Sequence, residues 1–215
     1  MARHSAARLF VERPLKGKGI GILVLHSCWG LTTSVRSYCH ELANNGFVAA
    51  ASDLFDGHTA NTVEAAKRLR SLRRSEPFYK TLVRNIDEIL ADSAVVGRQV
   101  GLVGFSMGGH WAVWLSQRPE LAVGSTVLYY AARGGSFSDS RSSYLAHYAA
   151  RDEWVSEGAR QRMERAIEAA GRPLQTYTYE GTQHWFAERN RLREYDPAAA
   201  SSAFARTVRH LKTTL

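Results

Sequence analysis

Long hydrophobic runs are missing from this chain of 215 residues. Its apolar stretches, residues 19–25 among the longest, are far too short to cross a bilayer. The opening Met1-Ala-Arg-His-Ser-Ala-Ala-Arg lacks the apolar core of a secretion signal. The expectation is a soluble cytoplasmic protein with no membrane partner. Cysteine is scarce too: Cys28 and Cys39 make no disulfide framework, and no metal-ligand spacing surrounds them. Reduced, inert thiols and no bound metal are expected. Acidic residues are the minority charge, 20 against 28 Lys and Arg, for a net charge of +8. Such a field can draw in anionic small molecules. Nucleic-acid binding would need basic residues interleaved with aromatic platforms. The densest basic run, residues 67–74, has no aromatic and fits a solvated helix face, so no nucleic-acid partner is expected.

What is present is an alternation of strand-like and helix-like patterns, with 45% hydrophobic residues, enough for a sizeable core. No repeat, low-complexity tract or linker interrupts it. The pattern predicts a single α/β domain over residues 1–215. Its sheet is mostly parallel, with seven to eight strands, helices on both faces and no large cap domain. Strands are predicted at 7–12, 19–26, 47–52, 99–103, 123–130, 144–149 and 174–179. Helices are predicted at 33–45, 61–74, 78–91, 155–170 and from Asp196-Pro197 to about His210, with Pro77 breaking the second from the third. Residues 131–143, rich in Gly and Ser, read as a loop that could serve as a small flap.

Within this alternation, Gly104-Phe105-Ser106-Met107-Gly108 lies between an apolar strand and an apolar helical run. Strand, Gly-x-Ser-x-Gly and helix together make a nucleophile elbow, a tight turn that pushes the serine out toward a cleft. Side chains at Gly104 or Gly108 would clash as strand and helix close on the turn. A serine hydroxyl needs a histidine to accept its proton and a carboxylate to hold that imidazole. In chain order the acid and then the histidine follow the serine, each in a loop after a strand.

His184, just past the last predicted strand, fills the histidine slot. His147 falls inside a strand and His210 near the end of the last helix, while His26, His40, His58 and His110 miss the slot. Asp152, nearest the end of the 144–149 strand, is the candidate acid, with Glu153 its competitor. Asp139 is less well placed, and Asp53 and Asp56 precede the serine and suit turns. The oxyanion donors expected are the backbone N–H groups of Met107 and, in the loop after the 19–26 strand, Cys28. Trp29, Tyr130, Trp185 and Phe186 are candidates to wall a substrate pocket.

The chain resembles the dienelactone hydrolase family of α/β-hydrolases over roughly residues 19–211. The likeness is carried by Leu25-His26-Ser27-Cys28-Trp29-Gly30-Leu31, by residues 42–49 and 52–57, by the elbow and by His184-Trp185-Phe186. It implies a cofactor-free hydrolase of carboxylic esters or lactones, monomeric or homodimeric. Typical members carry a cysteine nucleophile, where this chain has Ser106, and a glutamate after the first buried strand, where it has Ser27. They also carry a substrate-holding arginine four residues after the histidine, where it has Glu188 with Arg189 beside it. Ser27 and Arg189 are accordingly substrate-binding candidates, the latter for an anionic group. Acyl transfer or thioester hydrolysis on the same triad, and ligand binding without turnover, are the alternative readings.

Overall fold

The computed structural model describes residues 9–71 and 75–215. Strands β1 (Leu9–Glu12), β2 (Gly19–Leu25), β3 (Val48–Ser52), β4 (Val95–Phe105), β5 (Val123–Tyr129), β6 (Ser143–Arg151) and β7 (Leu174–Gln183) form one sheet in the order β1-β3-β2-β4-β5-β6-β7. Among the described strands only β1 runs antiparallel to its neighbour. The helices are α1 (Thr33–Asn44), α2 (Val63–Ser71), α3 (Ser75–Leu90), α4 (Met107–Ser116), α5 (Glu157–Ala169) and α6 (Pro197–Thr214).

Every described residue of β2 from Ile22 to Leu25 is fully buried, as a central parallel strand with helices on both faces requires. Its side chains alternate between two cores. Ile22 and Val24 join Val35, Cys39 and Leu42 of α1 and Ala203 and Leu211 of α6. Leu23 and Leu25 face Leu82, Ile86 and Ile89 of α3, Val113 and Leu115 of α4, and Met163 and Ile167 of α5. No helix among the described residues is long and apolar enough to cross a membrane.

The predicted order of elements matches the observed one, with corrections at the ends. Pro77 lies in the first turn of α3 rather than before it, where its missing N–H leaves no helical bond unmade. The part of the second predicted helix at 72–74, and Ala7 and Arg8 of the first strand, lie outside the described residues. Strand β4 begins earlier than expected, at Val95, through a stretch with Gly97 at φ +88°. Strand β7 runs on to Gln183 because a register shift lets Arg151 of β6 pair with Gln183. That extension brings two loops of the site together.

Candidate active site

The strands deliver the site residues at their carboxyl ends. Chain order runs outward from β2 to β3 on one side and from β4 to β7 on the other, so the crevice lies where β2 and β4 adjoin, with the loops after both strands meeting there. Ser106 follows Phe105 at the end of β4, and its N–H donates to the Tyr129 carbonyl at 3.0 Å. Its backbone stands at φ +50°, ψ −110°, in the positive-φ region that a non-glycine residue occupies only when its surroundings impose it. The imposition is steric closure of the turn. A Cβ on Gly104 would come within 2.5 Å of the Gly108 carbonyl oxygen and of Gly109 backbone atoms. A Cβ on Gly108 would meet the Leu25 and His26 carbonyls, so the start of α4 rests directly on the end of β2.

Register brings acid and base together. Arg151 pairs with Gln183, and the next residues on the two strands are Asp152 and, after the strand ends, His184. His184 Nδ1 lies 2.8 and 2.9 Å from the two Asp152 carboxylate oxygens, and its Nε2 lies 2.8 Å from Ser106 Oγ. The Asp152 side chain is fully buried and that of His184 is 4% exposed, so the bond between them is shielded from water. Asp152 Oδ1 also accepts from the N–H groups of Trp154 and Val155, each at 2.9 Å, which ties the carboxylate to its own turn. Arg160 stands 3.8 Å behind it and donates to the Ala149 carbonyl. Glu153, the competing acid, is exposed. The cap of α5 is Ser156, which leaves Asp152 free for the histidine.

The other histidines have different work. His26 accepts from the Leu54 N–H, linking the ends of β2 and β3, and burial holds its pKa below the usual value. His147, buried between Thr207 and Tyr179 at 3.0 and 2.9 Å, is pushed down to about 3 by desolvation, with the charge of Arg206 adding to it. Asp53 accepts from the N–H groups of Phe55 and Gly57, the turn role expected of it. Both cysteines are free thiols, and burial, with the nearby charge of Glu188, pushes Cys28 up to about 12. No group of three His, Cys, Asp or Glu side chains among the described residues is placed to hold a metal.

The substrate-pocket residues are placed differently from expectation. A cavity of about 290 Å³ adjoins Ser106 and is lined by Arg70, Phe78, Met107, His110, Trp111, Ala131, Ala132 and Val155. Trp29, Tyr130 and Phe186 are fully buried and Trp185 nearly so; they are core rather than cavity wall. Tyr130 and Trp185 instead back the His184 ring, at centroid distances of 4.8 and 4.9 Å. Arg189 is a correction: it turns to Glu41 at 2.6 Å and to the Tyr195 hydroxyl, lining a separate surface cleft with Ser34 and Tyr38. Among the described residues the cation lining this cavity is Arg70, at the end of α2, in a run that reads from sequence as a solvated face. Lys67, one turn earlier, sits over the Trp154 ring at 5.5 Å. Helical spacing alone could not reveal that this face overlooks the serine.

Ser27 and Glu188 form a further unexpected arrangement. Ser27 Oγ donates to Glu188 Oε2 at 2.7 Å, and the Tyr130 hydroxyl donates to Oε1 at 3.1 Å. Ser27 therefore turns to a buried carboxylate rather than toward the cavity. Two of the three positions set apart in the sequence, Ser27 and Glu188, are thus bonded to each other.

The profile of the dienelactone hydrolase family matches residues 7–215. The chain belongs to that family. With it, the protein is a hydrolase of ester bonds. A carboxymethylenebutenolidase candidate of Aquifex aeolicus (strain VF5) is 25% identical over 217 residues, covering 97% of this chain and 94% of that protein. The solved structure of m3DLH superposes with a TM-score of 0.83 at 19% identity, covering 98% of this chain and 100% of that one. The dienelactone hydrolase-like promiscuous phosphotriesterase P91 from metagenomic libraries gives 0.81 at 17% identity, with 93% and 88% covered. These two structures share the fold: a largely parallel sheet between helical layers.

Proposed function

We propose that this member of the family is a serine hydrolase of carboxylic esters or lactones, working through Ser106, His184 and Asp152 and an acyl-enzyme. The observation that carries the reading is the continuous chain of hydrogen bonds from Ser106 Oγ through both nitrogens of His184 to the buried Asp152 carboxylate. His184 Nε2 takes the hydroxyl proton as Oγ attacks the carbonyl carbon. Asp152 keeps the imidazole oriented and stabilises the imidazolium. The tetrahedral oxyanion is received by the backbone N–H of Met107, at the start of α4, and by that of Cys28, in the loop resting on it. His184 then returns the proton to the departing alkoxide, and water repeats the sequence on the acyl-enzyme.

The cavity of about 290 Å³ suits a small substrate, and Arg70 on its wall suits one bearing an anionic group. The carboxymethylene group and butenolide ring in the name of the Aquifex relative agree with both features. The test is Ser106→Ala assayed on short p-nitrophenyl esters. Turnover is expected to fall by roughly a million-fold, the loss seen when a triad acting as a unit is broken. Retained turnover in a clean preparation sinks the assignment.

A further inference from the structure

One buried carboxylate has no part in the triad and yet ties the loop after β2 and the end of β5 to the turn that carries His184. Glu188 is 1% exposed, and its two oxygens accept from Ser27 Oγ and the Tyr130 hydroxyl. Burying a carboxylate on two hydroxyls is costly, and an apolar side chain of the same volume would pack there at less expense. The position of its partners supplies a reason. Ser27 precedes Cys28, the proposed oxyanion donor, and its Oγ also lies 3.4 Å from the Trp29 N–H, within the same loop. Tyr130 stands at the end of β5 with φ +40°, and its ring packs on His184 at 4.8 Å. Glu188 itself lies four residues after His184, at the end of the same tight turn, with its N–H bonded to the Trp185 carbonyl. From the same loop Arg191 lies over the Trp29 ring at 3.9 Å, where its charge favours the ionised carboxylate, and Glu194 opposes it.

We propose that Glu188 is the positioning residue of this site: its carboxylate clamps the Ser27–Cys28 loop and Tyr130 to the turn carrying His184, and so sets the oxyanion donor and the base for the transition state. An ionised carboxylate is an acceptor at both oxygens and satisfies both hydroxyls at once. Glutamine keeps the shape but presents an amide N–H₂ to one of them, so that hydroxyl must turn its own hydrogen elsewhere and accept through a longer, weaker bond, which loosens the clamp on that side.

The inference rests on the serine-hydrolase reading and is tested beside it. Wild type, Glu188→Gln and Ser106→Ala are assayed at pH 8 on p-nitrophenyl butyrate. Inhibition by an alkyl trifluoromethyl ketone, which forms a tetrahedral adduct on a serine, and by butyrate is measured in parallel. For Glu188→Gln, kcat is expected to fall roughly ten- to a hundred-fold with KM within about twofold, because sub-ångström misplacement acts on the transition state. Affinity for the ketone falls by the same factor while that for butyrate holds. A kcat within twofold of wild type overturns the proposal, as does a loss that merely tracks the fraction of folded protein. Should Glu188→Gln fail to fold, Ser27→Ala and Tyr130→Phe each remove one arm of the clamp. Each is expected to lower kcat at least about threefold at unchanged KM, and wild-type kcat in both overturns the proposal. An inactive Ser106→Ala beside an unimpaired Glu188→Gln refutes the positioning role alone; an active Ser106→Ala refutes the serine mechanism itself.

Discussion

Glu188 also carries a consequence for stability. A glutamate carboxyl starts from an ordinary value of 4.5, and here burial pushes it up to about 7 against the pull of its bonds to Ser27 and Tyr130. The native state thus holds this proton more tightly than the unfolded chain does. The resulting stabilisation is complete below about 4.5 and is lost as pH rises through about 7. At roughly 1.36 kcal/mol for each pH unit of that difference, about 3 kcal/mol is at stake. Glutamine has no such proton to lose. The unfolding free energy of Glu188→Gln relative to wild type should therefore improve steadily between pH 5 and pH 8 in urea titrations. A difference independent of pH would show that the carboxyl does not titrate in this window. At this scale the sequence was informative where a residue type has a single use. Ser106 in its glycines, and a histidine and an aspartate in the required order, were legible. Glu188 was visible only as a departure from an arginine, because nothing local indicates that a surface-type residue will be fully buried.

Among the elements, the contact of α4 with β2 carries most of the geometry. The first turn of α4 rests on the last carbonyls of β2, and this contact sets the spacing between the Met107 N–H and the loop of Cys28. Gly108→Ala puts a methyl group into the Leu25 carbonyl, so strand and helix must separate. A loss of about 1–3 kcal/mol is expected, as for other forced overpacking, together with a fall in kcat. Equilibrium unfolding and ester kinetics on the same preparation check both parts; a variant as stable and active as wild type would mean that the turn relaxes without cost. Elements were largely readable in advance because the buried strands are short, β-branched and bounded by turn residues. Their ends were not. The extension of β7 to Gln183 depends on a shifted pairing with β6, a long-range bond that no local pattern encodes.

For the whole molecule, the net charge of +8 and the placement of Arg70 at the cavity act together. Association of a carboxylate-bearing ester should be favoured at low salt and screened as the Debye length falls below about 10 Å. Between 20 mM and 500 mM salt, kcat/KM for a p-nitrophenyl hemisuccinate is expected to drop roughly three- to ten-fold, while that for the neutral butyrate changes little. Arg70→Gln should remove most of the difference. Equal salt responses for the two esters would refute a role for this charge in substrate capture.

Periodicity, turn chemistry and chain order are local properties of a chain; they were enough to read the class of sheet, the order of elements and the glycine-flanked turn at Ser106, and to single out His184 and Asp152 as its candidate partners. The tertiary structure alone decided which side chains meet across the sheet. The pairing of Arg151 with Gln183 set Asp152 against His184, Arg189 turned to Glu41 and Tyr195, α2 brought Arg70 to the cavity, and Ser27 and Glu188 met from 161 residues apart. Such contacts follow from register and from the packing of helices on the sheet. A one-residue slip in either would change them without altering a single local pattern.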